Sequence, residues 1–437
     1  MKAQRKITRA EKWLFAVTGG ALLFLVVFGV WRSYVLTVPD LGIPNPKMPE
    51  PNAFDLYQEA GQAIIPANPP VDAAHDFKSG YPGTSKTYPL PAKQAWLRRN
   101  AKVIALSKQA FTLPCYLPPI RTLVNDTQQF PWENLPHSRG GTFRELARFW
   151  EVVVHTRRDE KNWEQAAQSA LNIYRIGCDA ERGGILVDGI AGAAICNMAC
   201  EELIELLPHL DLQTTKRSLH ELSNLIHQQV PFPETLRQEK YSYQAGLIEV
   251  FQNGMWMHWY DGISSDATEN WGRKLFLSSI PRRAVLYSYG DYMDTLIAQS
   301  RLPHKDYIPP KPDKIMMWLR IAELGRSPWN NVRRQTYRDM TLISLALRAY
   351  KLEHQTYPQN LRDLVPNYLQ KIPADPFGGG EALRYRRSGR EYSLYSIGPD
   401  GMDNRGRAIE DTKISREKCK RFLVLPESKG DIVAGVN

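Results

Sequence analysis

Glu201, Glu202 and Glu205 are three acids within five residues, and at that density carboxylates can divide general acid and base work between them. On a helix the same spacing also describes the water-facing side of an amphipathic segment, and that is the reading adopted for these three. Nine histidines are scattered along the chain, without an H-E-x-x-H motif or another pair at ligand spacing. His220 and His227 share a face of a predicted helix among polar neighbours, which reads as a solvated surface rather than a metal site. Arg237 and Glu239, just before Tyr241 and Tyr243, are polar candidates at the end of a helical region, with no reaction assigned to them. No G-x-S-x-G elbow, P-loop or dinucleotide fingerprint occurs.

Cys115, Cys178, Cys196, Cys200 and Cys419 are odd in number and lack C-x-x-C spacing, so neither a redox motif nor a zinc knuckle follows. Cys196 and Cys200 lie four apart on a predicted helix, where a mutual bond is strained; they read as small buried hydrophobes.

Aromatic residues concentrate between Met255 and Pro312: Trp256, Trp259, Tyr260, Trp271, Tyr287, Tyr289 and Tyr292. They form either a stacking platform for sugar rings or the filling of a seam between two parts of the molecule, and the second is preferred.

These residues need elements to position them. Apolar periodicity predicts short helices over 54–65 and 93–110 within a loop-rich wrapping segment. Longer helices are predicted from Thr142, from Trp163 with Gly177 near its end, and over 185–207, 212–229 and 233–253. Each has one apolar stripe, so the expected body, residues 53–330, is a set of αα-hairpins stacked as a solenoid or an irregular bundle.

Ahead of the body, residues 13–31 carry no charge between Trp13 and Trp31, a length that spans a ~30 Å hydrocarbon core. Lys2, Arg5, Lys6, Arg9 and Lys12 in the flank 1–12 outweigh Arg32 on the other side. A retained transmembrane signal anchor is expected, with the N-terminus in the cytoplasm and the body outside the cytoplasmic membrane. Residues 32–52 are rich in proline and are expected to act as a polyproline-like spacer that stands the body off the bilayer. The net charge of +10 is spread without a long basic block, which argues against nucleic acid as a partner.

The last hundred residues carry the strongest pattern. A helix is predicted from Asn331 to His354, followed by Tyr357-Pro358, then Leu361, Leu364, Val365 and Pro366. Asp375, Pro376, Phe377 and Gly378 come next, then strands over 383–386 and 391–397, closing on Tyr395-Ser396-Ile397-Gly398-Pro399-Asp400-Gly401. This succession resembles the globular head of the major pseudopilin of type II secretion. The resemblance covers about residues 334–411 and implies a small α+β domain, assigned to 331–425 and followed by a tail over 426–437. It also implies a calcium site in the closing loop, with Asp400 and Asp411 as carboxylates, Asp403 as a helper and Ile397 as a carbonyl donor. Arg405 and Arg407 depart from the family's acidic loop, and the N-terminus lacks its prepilin cleavage pattern.

The expected fold is therefore mainly α: a transmembrane helix, an αα-hairpin body and a small α+β C-terminal domain. Two functions are expected. The first is a structural or interaction protein that displays the head to other envelope proteins, secretion machinery among them. The alternative is an envelope hydrolase acting on cell-wall or polysaccharide material, with its site in the aromatic-rich 255–310 region.

Overall fold

A computed structural model describes residues 8–66, 89–120, 137–252, 280–318, 324–410 and 424–436. The molecule is mainly helical, with one apolar helix near the N-terminus and a small three-stranded sheet near the C-terminus. Helix α1 spans Arg9–Leu36, and within it Trp13–Leu36 is long and apolar enough to cross a membrane, with no residue of its apolar window buried in the protein. Helix α1 takes up the first residues of the proline-rich stretch, through Leu36, and from Thr37 to Asn52 the chain forms no regular element, as proline dictates. This stretch does not stand clear of the body, however: Val38 and Leu41 pack on a hydrophobic core and Pro39 is buried.

Helices α2 (Ala53–Gln62), α3 (Leu90–Arg99) and α4 (Ala101–Ala110) form the wrapping segment. The single helix expected over 93–110 is broken at Asn100, whose side chain accepts from Ile65 N (2.7 Å) and donates to Ile65 O and Trp96 O. The buried amide thereby satisfies both backbone polar groups of Ile65, just after α2, at the point where α3 ends.

The centre of the body is α5 (His137–Asp159), α6 (Trp163–Glu181), α7 (Leu186–Leu206) and α8 (Leu212–His227). Asn162 caps α6 by accepting from Gln165 N (3.2 Å), and Asp211 caps α8 by accepting from Thr214 N (2.8 Å). Helices α6 and α7 approach closely because both present glycine at the crossing. A Cβ on Gly177 would lie 2.6 Å from Cys196 Sγ, and one on Gly192 would lie 2.6 Å from Gly177 O. Cys178, Cys196 and Cys200 are buried and unpaired by disulfide, as expected of small hydrophobes, and Cys115 is likewise free and buried. Cys419 lies outside the described residues.

A second core is built from α9 (Phe232–Gln252), α10 (Arg282–Gln299) and α11 (Lys314–Trp318). Tyr243 and Tyr289 stack here at 4.4 Å between ring centroids, and Tyr292 is buried beside them. The described part of the aromatic-rich seam is thus filled with side chains; Tyr287 faces solvent, and Trp256, Trp259, Tyr260 and Trp271 lie outside the described residues.

The long helix α12 (Pro328–His354) buries Ile343, Leu345, Ala346 and Leu347 in the same core as α5–α8, so the first hydrophobic core runs across residue 330. It continues into strands β1 (Arg384–Ser388), β2 (Glu391–Ser396) and β3 (Ile432–Val433), an antiparallel sheet in the order β1-β2-β3. The third strand arises from the segment read as a tail: Ile432 pairs with Ser396, and its side chain is fully buried.

Candidate metal centre

Helices α5 and α7 run side by side and in the same direction, since α6 returns the chain between them. Near the start of the pair, Arg139 of α5 donates to Asp188 Oδ2 of α7 at 3.0 Å, and Ile185 N donates to the same oxygen at 3.0 Å. Sixteen residues further along α5, about 24 Å at helical rise, the two helices meet again through charged groups of another kind. Glu151 and His155, one turn apart on one face of α5, oppose Glu202 of α7. One donor atom from each lies within 4.8 Å of the others, and among the described residues this is the group of three His, Cys, Asp or Glu side chains that converges so closely.

His155 Nε2 and Glu202 Oε1 are 2.9 Å apart, with both residues more than nine-tenths buried. The second carboxylate oxygen of Glu202 is buried with no hydrogen-bond partner. Among the described residues, no lysine or arginine forms an ion pair with Glu151 or Glu202. Glu151 is half-buried; burial pushes its carboxyl up to about 7, with Glu202 and Glu201 adding to the rise and His155 and Arg148 opposing it. A carboxylate oxygen stripped of water and left unpartnered is costly, and a cation is one group that would offset the cost.

The donor set fits one. Carboxylate and imidazole ligands sit ~2.0–2.2 Å from zinc and take a tetrahedral arrangement, which places donors ~3.4 Å from one another. To hold zinc, the His155–Glu202 pair at 2.9 Å would open by about half an ångström, donors separated by up to 4.8 Å would close by about an ångström, and three protein donors would leave a fourth position open.

The expectation for the acidic triplet is corrected in one member. Glu201 and Glu205 are exposed, and Glu205 pairs with Arg158 at 2.7 Å, but Glu202 turns inward because its position on α7 faces α5. The Glu-x-x-x-His spacing of Glu151 and His155 was the signal within the sequence; its partner comes from another helix, 47 residues from His155, and has no local signature.

The other candidates have structural partners. His220 and His227 are exposed, and His220 contacts Asn224. Arg237 pairs with Glu234, while Glu239 accepts from Leu186 N (2.8 Å) and so ties α9 to the start of α7. In the C-terminal loop, Asp400 accepts from Met402 N (3.1 Å) and Gly430 N (3.0 Å), and Asp403 accepts from Arg405 N (2.8 Å) and the Tyr395 hydroxyl (3.1 Å). Ile397 donates its N–H to Asp375, and Asp411 lies outside the described residues. Asp431 joins the loop, accepting from Asn404 N and Gly406 N. These carboxylates cap turns with the oxygens a cation would use.

In comparisons with known proteins, no family model, no curated protein and no solved structure matches this chain.

Proposed function

We propose that this chain is a membrane-anchored, metal-dependent hydrolase of the bacterial envelope, with Glu151, His155 and Glu202 holding the cation and cell-wall or polysaccharide material as the substrate class. The observation that carries the reading is the buried Glu202 oxygen without a partner, set against an imidazole and a second carboxylate. Imidazole among the donors favours zinc or a similar transition metal over calcium, which takes oxygen ligands. When bound, the cation supplies Lewis-acid polarisation of the substrate. Glu202 and His155 fix its position from the buried side, and half-buried Glu151 closes the set from the solvent side. Exposed Glu201, next in sequence to Glu202 and close enough to add to the rise at Glu151, is the candidate acceptor of a proton from water. The basic flank before α1, against Arg32 after it, supports a cytoplasmic N-terminus and an extracytoplasmic body.

The test uses the full chain in detergent, stripped with a chelator and assayed on peptidoglycan fragments and polysaccharides with zinc, manganese or calcium restored. Hydrolysis is expected to return with zinc or manganese and to disappear in Glu202→Gln. Hydrolysis that survives chelation, or none with any of the three metals, contradicts the proposal.

One observation favours a second reading, the interaction role of a pseudopilin-like head. Asp375 of the D-P-F-G loop is buried and accepts from Phe377 N (3.0 Å), Ser396 Oγ (2.6 Å) and Ile397 N (3.0 Å), which clamps that loop onto the Y-S-I-G segment. The two motifs that carry the resemblance are thereby one unit. On this reading a calcium-dependent rise in melting temperature, lost in Asp400→Ala, and an envelope partner recovered with the head are expected; neither appearing counts against it.

A further inference from the structure

A cavity of about 420 Å³ opens where the end of α7, the last turns of α12 and the β1–β2 turn come together. That volume is within the ~300–1,000 Å³ range of small-molecule sites. It is lined by three cationic side chains, Arg348, Lys351 and Arg390, against one acid, Glu391. Arg348 is held in place by its Nη2, which donates to Pro208 O and Leu210 O at 3.0 Å each, while its Nε is buried with no partner. Lys351 lies 4.5 Å from the centroid of Tyr357, and its ammonium donates to Arg390 O at 3.4 Å. Arg390 itself projects from the exposed turn after Gly389.

Two aromatic rings complete the wall. Tyr357 and Tyr392 meet edge to face with centroids 4.8 Å apart. Excess positive charge accounts for an anion, a guanidinium and an ammonium together suit phosphate, and paired tyrosines offer a surface for a ring. Glu391 provides an acceptor for hydroxyl groups that a bare inorganic anion would not use. Three cations are spread around one mouth rather than paired with acids, which distinguishes this place from the body's internal ion pairs.

We infer that this cavity binds a phosphorylated sugar, its phosphate held by Arg348, Lys351 and Arg390 and its ring against Tyr357 and Tyr392. The site is separate from the α5–α7 centre and does not depend on the metal.

Titration calorimetry on the full chain in detergent, with glucose 1-phosphate, inorganic phosphate and glucose as probes, tests it. Glucose 1-phosphate is expected to bind with a Kd of about 0.1–1 mM, inorganic phosphate about tenfold more weakly, and glucose not measurably. Lys351→Met and Arg390→Ala are each expected to weaken glucose 1-phosphate about tenfold, the scale of one charge-assisted contact. Arg390 is in an exposed turn, so its variant keeps the fold, which circular dichroism verifies. No heat from glucose 1-phosphate, equal binding of glucose, inorganic phosphate binding as tightly as the sugar phosphate, or affinity unchanged in both variants would each overturn the inference.

Discussion

The two ends of the α5–α7 pair differ in how they treat buried charge. At one end Asp188 meets the Arg139 guanidinium and a backbone N–H, so its charge is balanced within the protein, although Arg139 Nε is left without a partner. At the other end Glu202 meets a histidine whose charge is conditional, a second glutamate, and nothing at its remaining oxygen. Elsewhere in the body, Glu181 meets Arg334 and Asp339 meets Arg338, pairs completed in charge in the same way, although Arg334 Nε also lacks a partner. Other buried acids are completed by a guanidinium, as Asp188, Glu181 and Asp339 are, or by N–H and O–H donors, as Asp375 is, whereas Glu202 keeps one oxygen with neither, and on that contrast the proposed ligand role rests. Removing a partner should therefore show in stability at the first kind of place and in the response to metal at the second.

The largest effect is expected at the completed pairs. Arg334→Met leaves Glu181 buried and unpaired between α6 and α12, and should cost about 3–5 kcal/mol in denaturant unfolding. A cost under about 1 kcal/mol would erase the distinction drawn here. Next, zinc at a hundredfold excess over its Kd should stabilise the wild-type chain by about 2.7 kcal/mol, a gain absent in His155→Ala. Tyr57→Phe removes the hydroxyl that donates to Asp179 at 2.8 Å in a buried setting, and should cost about 1–3 kcal/mol, without altering the response to zinc. The smallest change is expected from Asp400→Ala, which removes acceptors for Met402 N and Gly430 N and should cost about 1 kcal/mol whether or not calcium is present.

Much of the framework was legible because helices carry their own signal. Apolar spacing placed α5–α9 to within a few residues, and the absence of charge between Trp13 and Trp31 marked α1. Features that depend on distant partners were not legible. The break at Asn100 requires Ile65, β3 requires β2 as its neighbour, and the packing of Val38 and Leu41 requires the core of α9–α11. The candidate metal centre shows the same division. Glu151 and His155 sit at a spacing that puts them on one helix face, whereas the inward turn of Glu202, beside exposed Glu201, follows only from which side of α7 faces α5. A local acidic cluster on a helix looks alike whether all of its members are solvated or one is not.

The central claim is that the Glu202 carboxylate is held for a cation. Zinc titration by calorimetry, run in parallel on the metal-stripped full chain and on Glu202→Gln, measures that directly. One zinc per chain in the wild type, with affinity about 10- to 100-fold weaker in the variant, is the predicted result. Equal zinc affinity in the two proteins, or no binding by either, would show that Glu202 serves only as a buried partner for His155.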